Sequence, residues 1–141
     1  MKVIFLDLDG PLFNSEGVII DNAVYCLGEL VRLTEAKIVI TSDWRIGKRL
    51  DQVRAKLSVH LGIISQKVID LTDVIYHKDK EISRGAEIQS WLEEHESDID
   101  NYVIIDDSET AALVSNQSHF VKVGDAGITG EVFREALRIL G

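Results

Sequence analysis

The sequence predicts an α/β fold of three layers, doubly wound around a mostly parallel sheet. Three observations carry this. Short continuous apolar runs at residues 3–6, 38–40 and 102–105 read as strands buried on both faces. Stretches with apolar residues four, three and four apart separate the runs and read as amphipathic helices. Each run also ends in carboxylates or hydroxyls, the strand end at which such folds collect ligands.

The run VIFL, residues 3–6, is the first strand, and Asp7 and Asp9 emerge from its end. Alternate side chains of an extended chain share a face about 6.6 Å apart. At an effective dielectric near 20 their charges repel by about 2.5 kcal/mol, so something must offset that cost. Ile20, Val24, Leu27 and Val31 mark one face of a helix over about residues 20–34. Its thiol, Cys26, is the single cysteine; it cannot form an internal disulfide and reads as a small hydrophobe. Ile38, Val39 and Ile40 form a second strand ending in TSDWR. Ile46, Leu50, Val53 and Leu57 predict a helix over about residues 46–57.

Residues 58–78 mix β-branched and polar positions and predict one short strand near Val68 or Val74. Ile88, Trp91, Leu92 and His95 then form a helical stripe opened by Ser83 as N-cap. That helix precedes YVIIDD, residues 102–107, a strand ending in Asp106 and Asp107. A short helix around residues 109–115, the strand HFVKV at 119–123 and a last helix carrying Val132, Phe133, Ala136, Leu137 and Leu140 complete the pattern.

The 141 residues suit one domain, and 45% hydrophobic with 28% charged residues excludes a disordered chain. No apolar run approaches the roughly 20 residues of a membrane span. Met1 and Lys2 lead straight into a strand instead of a signal peptide, so a cytoplasmic location is expected. A net charge of −9 disfavours non-specific attraction to a phosphate backbone.

The first, second and late strand ends bring Asp7, Asp9, Thr41, Ser42, Asp106 and Asp107 toward one candidate site with four carboxylates. Acids tolerate one another around a divalent cation, and oxygen-only ligands suit Mg2+ better than Zn2+. His60, His77, His95 and His119 are scattered and read as surface or packing residues. An EF-hand is excluded, because the sixth and twelfth positions from Asp7 are Leu12 and Val18 where that loop needs Gly and Glu. A phospho-receiver is disfavoured too: it has paired acids after the first strand and a lone acid after the third, whereas here DLD comes first and DD late.

FLDLDG, the strand end ITS, a basic residue ahead of RGAEIQSWL, and VIIDD, in that order, resemble the haloacid dehalogenase-like (HAD) superfamily of phosphotransferases. The likeness is closest to the small HAD domains of Swiss Army Knife RNA repair proteins, with S-x-W-R at residues 42–45 and R-x-x-E-I-x-x-W-L at 84–92. It covers nearly the whole chain, through the GIT turn at 127–129. It implies a Rossmann-like core and a Mg2+-dependent phosphatase in which Asp7 is the nucleophile, giving an aspartyl-phosphate, while Asp9 protonates the leaving oxygen and later draws a proton from water. Mg2+ would be held by the Asp7 carboxylate, the backbone carbonyl of Asp9, and an acid of the late pair. Asp107 is the first choice and Asp106 the second, because adjacent strand-end residues point to opposite faces.

The S-x-W-R register favours Ser42 as the hydroxyl on the phosphoryl group, with Thr41 its neighbour. Arg84 matches the position of the charge-balancing cation, with Lys80 and Lys78 competing. Arg45 either caps a helix or reaches substrate; Trp44 and Trp91 are expected in the core. Pro11 stands where the superfamily commonly has Thr or Val. Neither gap that could hold a cap domain has the tens of residues needed, so the fold is expected to be capless. An open site would admit a bulky phosphate such as a nucleic acid end, or need a partner to close it. The alternative reading is a non-catalytic metal-binding or scaffold domain of the same fold.

Overall fold

The structure is a computed structural model that describes residues 1–141. Its elements run β1 Lys2–Leu6, α1 Asp21–Thr34, β2 Lys37–Ile40, α2 Leu50–Leu61, β3 Val68–Leu71, β4 Tyr76–His77, β5 Lys80–Glu81, α3 Arg84–Glu94, β6 Asn101–Asp106, β7 Phe120–Lys122 and α4 Gly130–Leu140. Five strands form one parallel sheet in the order β3-β2-β1-β6-β7. The expected doubly wound α/β fold is present.

Period-two alternation sorts the strand residues onto two faces. Ile4, Leu6, Ile38, Ile40, Val103 and Ile105 pack with α1, α2 and α4 in a core of 24 buried residues. Val3, Phe5, Val39 and Ile104 pack with Ile88 and Trp91 of α3 in a core of seven. The α3 face is thus the thinner one. Burying each large aliphatic side chain here contributes about 1.5–3 kcal/mol. Phe5 adds edge-on contacts to Trp91 and Tyr102, with centroids 5.4 and 5.9 Å away. Cys26 is buried in the thicker core, as its helical position implies.

Two elements differ from expectation. The second helix begins at Leu50, after a 3-10 turn over Asp43–Arg45, because Gly47 sits at φ 70° and breaks the stripe, leaving Ile46 exposed. Its buried face is Val53, Leu57 and Leu61, and it ends at Gly62. The helix expected around 109–115 is instead two 3-10 turns, Glu109–Ala111 and Val114–His119. The strand expected near Val68 is β3; Val74 lies outside it. Residues 7–20 contain only turns and isolated bridges, and residues 72–83 only the β4-β5 hairpin. Neither holds a cap, so the strand ends stay open.

Candidate active site

The parallel register builds the site. Leu6 pairs with Ile105 on one side and Ile40 on the other. The amide of Asp7 donates to Ile105 O at 3.1 Å, and that of Thr41 to Leu6 O at 3.0 Å. One step past Phe5, Val39 and Ile104 on the α3 face come Asp7, Thr41 and Asp106, all buried. Asp107 follows the last residue of β6, where the pleat no longer dictates direction. Its carboxylate joins those of Asp7 and Asp106, and oxygens from all three lie within 4.8 Å of one another. The opposite-face argument for choosing between Asp106 and Asp107 therefore fails: both reach Asp7.

Gly10 makes this approach possible. Its φ is 108°, and a Cβ there would stand 2.7 Å from Asp107 Cγ, so a side chain would collide with the acid. The loop is pinned by Gly10 N–H donating to Phe13 O at 2.8 Å and by Ile128 N–H donating to Pro11 O at 3.0 Å. The GIT turn thus braces the segment after the acids.

Arg84 opens α3, whose N-cap Ser83 accepts from the Ala86 amide. Its guanidinium donates to Asp106 Oδ2 at 2.9 Å and to Asp43 Oδ1 at 3.2 Å, and lies 3.4 Å from Asp7 Oδ2. Lys80 and Lys78 stand on the exposed β4-β5 hairpin with no ion pair to these acids. Arg84 is the cation of the cluster.

Three acids around one guanidinium leave excess negative charge. Burial, then the Asp106 charge, push the Asp7 carboxyl up to about 8 against the opposing pull of Arg84. Burial likewise raises Asp106, although Arg84 and the Ser108 amide stabilise its charge. Burial opposes the charge of Arg84, but Asp106, Asp7 and Asp43 hold its pKa above the ordinary value. The donors are all carboxylate oxygens, so Asp7, Asp106 and Asp107 could hold a hard divalent cation, whose charge the cluster lacks.

Other expected residues are placed differently. Ser42 Oγ accepts from the Trp44 amide at 3.3 Å and caps the 3-10 turn. The buried hydroxyl of Thr41 instead has no partner in the chain. Arg45 turns into the interior. It is buried, pairs with Glu87 at 2.7 Å, and donates to Thr72 O and Ser42 O. Glu87 also accepts from the Ile75 amide at 2.8 Å, so one buried pair ties the loops after β2 and β3 to α3. Sequence reasoning missed Glu87; its signal was a carboxylate four residues before Trp91, on the buried stripe.

Trp91 is in the core, as expected, and its Nε1–H donates to Asp70. Trp44 is only half-buried. It packs on Phe13 with centroids 4.9 Å apart and donates its Nε1–H to Asp9 Oδ2 at 3.2 Å. The Asp9 side chain is exposed and stands outside the three-acid cluster. His95 stacks on Trp91 and His119 on Tyr102, so both are packing residues.

An open cleft of about 870 Å³ runs from Asp9 and Asp107 past Phe13 and Asn14 to Lys122. A hollow of similar size, about 850 Å³, lies at the opposite end of the sheet beside Met1, Lys2 and Lys37. It has none of the strand-end acids.

A parallel doubly wound sheet with an acid cluster at its carboxyl ends, led by D-x-D-G, defines a HAD-type domain. The chain belongs to the family described as the HAD domain in Swiss Army Knife RNA repair proteins, whose model matches residues 3–132. No curated protein and no solved structure matches it. No helix is long and apolar enough to cross a membrane.

Proposed function

We propose that the protein is a Mg2+-dependent phosphomonoesterase working through an aspartyl-phosphate on Asp7. The observation that carries this reading is the meeting of Asp7, Asp106 and Asp107 within 4.8 Å, with Arg84 3.4 Å from Asp7. Asp7, Asp106, Asp107 and the carbonyl of Asp9 are the groups that would hold Mg2+. Bound there, the ion would neutralise phosphoryl charge and keep Asp7 ionised.

Asp7 attacks phosphorus in line, forming a P–O bond as the ester P–O bond breaks. The electron pair goes to the leaving oxygen, which takes the proton of the Asp9 carboxyl. Water then attacks phosphorus, giving its proton to the Asp9 carboxylate while the bond to Asp7 breaks and releases phosphate. Arg84 balances charge on Asp7 and the transferring oxygens. Thr41 replaces Ser42 as the proposed phosphoryl-binding hydroxyl: it shares the Asp7 face, and its buried hydroxyl has no partner in the chain.

The open strand ends suit a phosphate on a bulky group. The family name points to nucleic acid ends as the first substrates to try, 3′- and 5′-phosphorylated RNA beside nucleotides. With a net charge of −9, affinity must come from the phosphoryl group itself rather than from general attraction to a polyanion. The test is phosphate release from an aryl phosphate. It is expected with Mg2+ and lost with chelator or in Asp7→Asn. Metal-dependent stabilisation without turnover on a broad phosphate panel would instead favour the non-catalytic reading.

A further inference from the structure

We infer that Trp44 is a positioning residue that holds the carboxyl of Asp9, the group assigned the proton transfer, in one orientation; this rests on the phosphatase reading above. The indole Nε1–H is a donor only. It lies 3.2 Å from Asp9 Oδ2, which accepts from it. Asp9 Oδ1 has no partner in the chain and stays open to the cleft that Asp9 lines. One contact thus orients an exposed carboxyl that would otherwise turn freely in water.

The indole is itself held. Its backbone amide donates to Ser42 Oγ, Phe13 packs on its ring, and the ammonium of Lys56 lies 4.3 Å from the ring centroid. Phe13 and Asp9 also lie in one bridge of the same loop. The brace therefore reaches from the turn after β2 to the loop after β1, across residues 35 positions apart in sequence.

Proton donation matters in proportion to the basicity of the leaving oxygen, so Trp44→Phe carries a distinctive signature. With saturating Mg2+, kcat/KM is measured for an alkyl phosphate, phenyl phosphate, p-nitrophenyl phosphate and 2,4-dinitrophenyl phosphate. Trp44→Phe is expected to lose about tenfold on the alkyl ester, within the range for loss of an orienting partner, with the deficit shrinking steadily toward the dinitrophenyl ester. The deficit is also expected to disappear in an Asp9→Asn background, because the indole then has no acid to orient. Phe keeps the packing on Phe13, and an unchanged unfolding midpoint checks this. Equal losses on all four esters, a KM effect restricted to the aryl esters, or a deficit that persists in Asp9→Asn would each overturn the inference while leaving the phosphatase reading standing. A wild-type protein that turns over none of the esters would remove both.

Discussion

Asp7 bears the conflict on which the site is built: a carboxyl 4% exposed, beside two further acids and one guanidinium. With the folded-state value near 8 and the ordinary value 3.8, the native state binds the Asp7 proton more tightly than the unfolded chain. Without metal, stability should therefore fall as pH rises between those two values, and the full penalty remains above the higher one. Asp106 and Glu87, also raised by burial, add to the same slope. Asp7→Asn should flatten this dependence and melt several degrees higher than wild type at pH 8 in chelator. Melting curves in chelator across that range check it, and a wild-type midpoint that rises toward pH 8 contradicts it. The acids themselves were legible in the sequence, since each ends an apolar run. The choice of hydroxyl was not, because Thr41 and Ser42 are adjacent and only the β1-β2 register says which one shares the face of Asp7.

The segments around the site are held by a pair whose two partners no local pattern joins. Arg45 and Glu87 lie 42 residues apart in sequence and meet in the interior, joining the turn after β2 to α3. Removing one partner leaves a buried charge uncompensated, so Arg45→Ala should cost about 3–5 kcal/mol, whereas a packed apolar pair such as Arg45→Met with Glu87→Leu should recover most of it. Urea unfolding of the three variants measures this; an Arg45→Ala loss under 1 kcal/mol would show the pair to be dispensable. The buried strands and the helix after Ser83 were readable because continuous apolar runs and a capped stripe have no competing interpretation. The α2 start was misread because Ile46 fits helical spacing while Gly47 takes a left-handed backbone. The β4-β5 hairpin was missed because two exposed residues per strand leave no core pattern.

At the scale of the molecule, the sheet order β3-β2-β1-β6-β7 makes the chemistry possible. It sets β1 between β2 and β6, so groups separated by a hundred residues in sequence converge on Asp7. The order of motifs made that convergence legible before any coordinates. The indole of Trp44 over Asp9 was not, since an aromatic residue in that position reads equally well as core. The central claim is that Asp7 receives the phosphoryl group. The most direct test is an acid quench of Asp9→Asn during reaction with Mg2+ and 2,4-dinitrophenyl phosphate, followed by peptide mapping by mass spectrometry. The leaving group there needs no proton, but hydrolysis of the intermediate lacks its base, so a phosphorylated peptide bearing Asp7 should accumulate. Phosphate release with no label on Asp7, or label on another residue, would contradict the account.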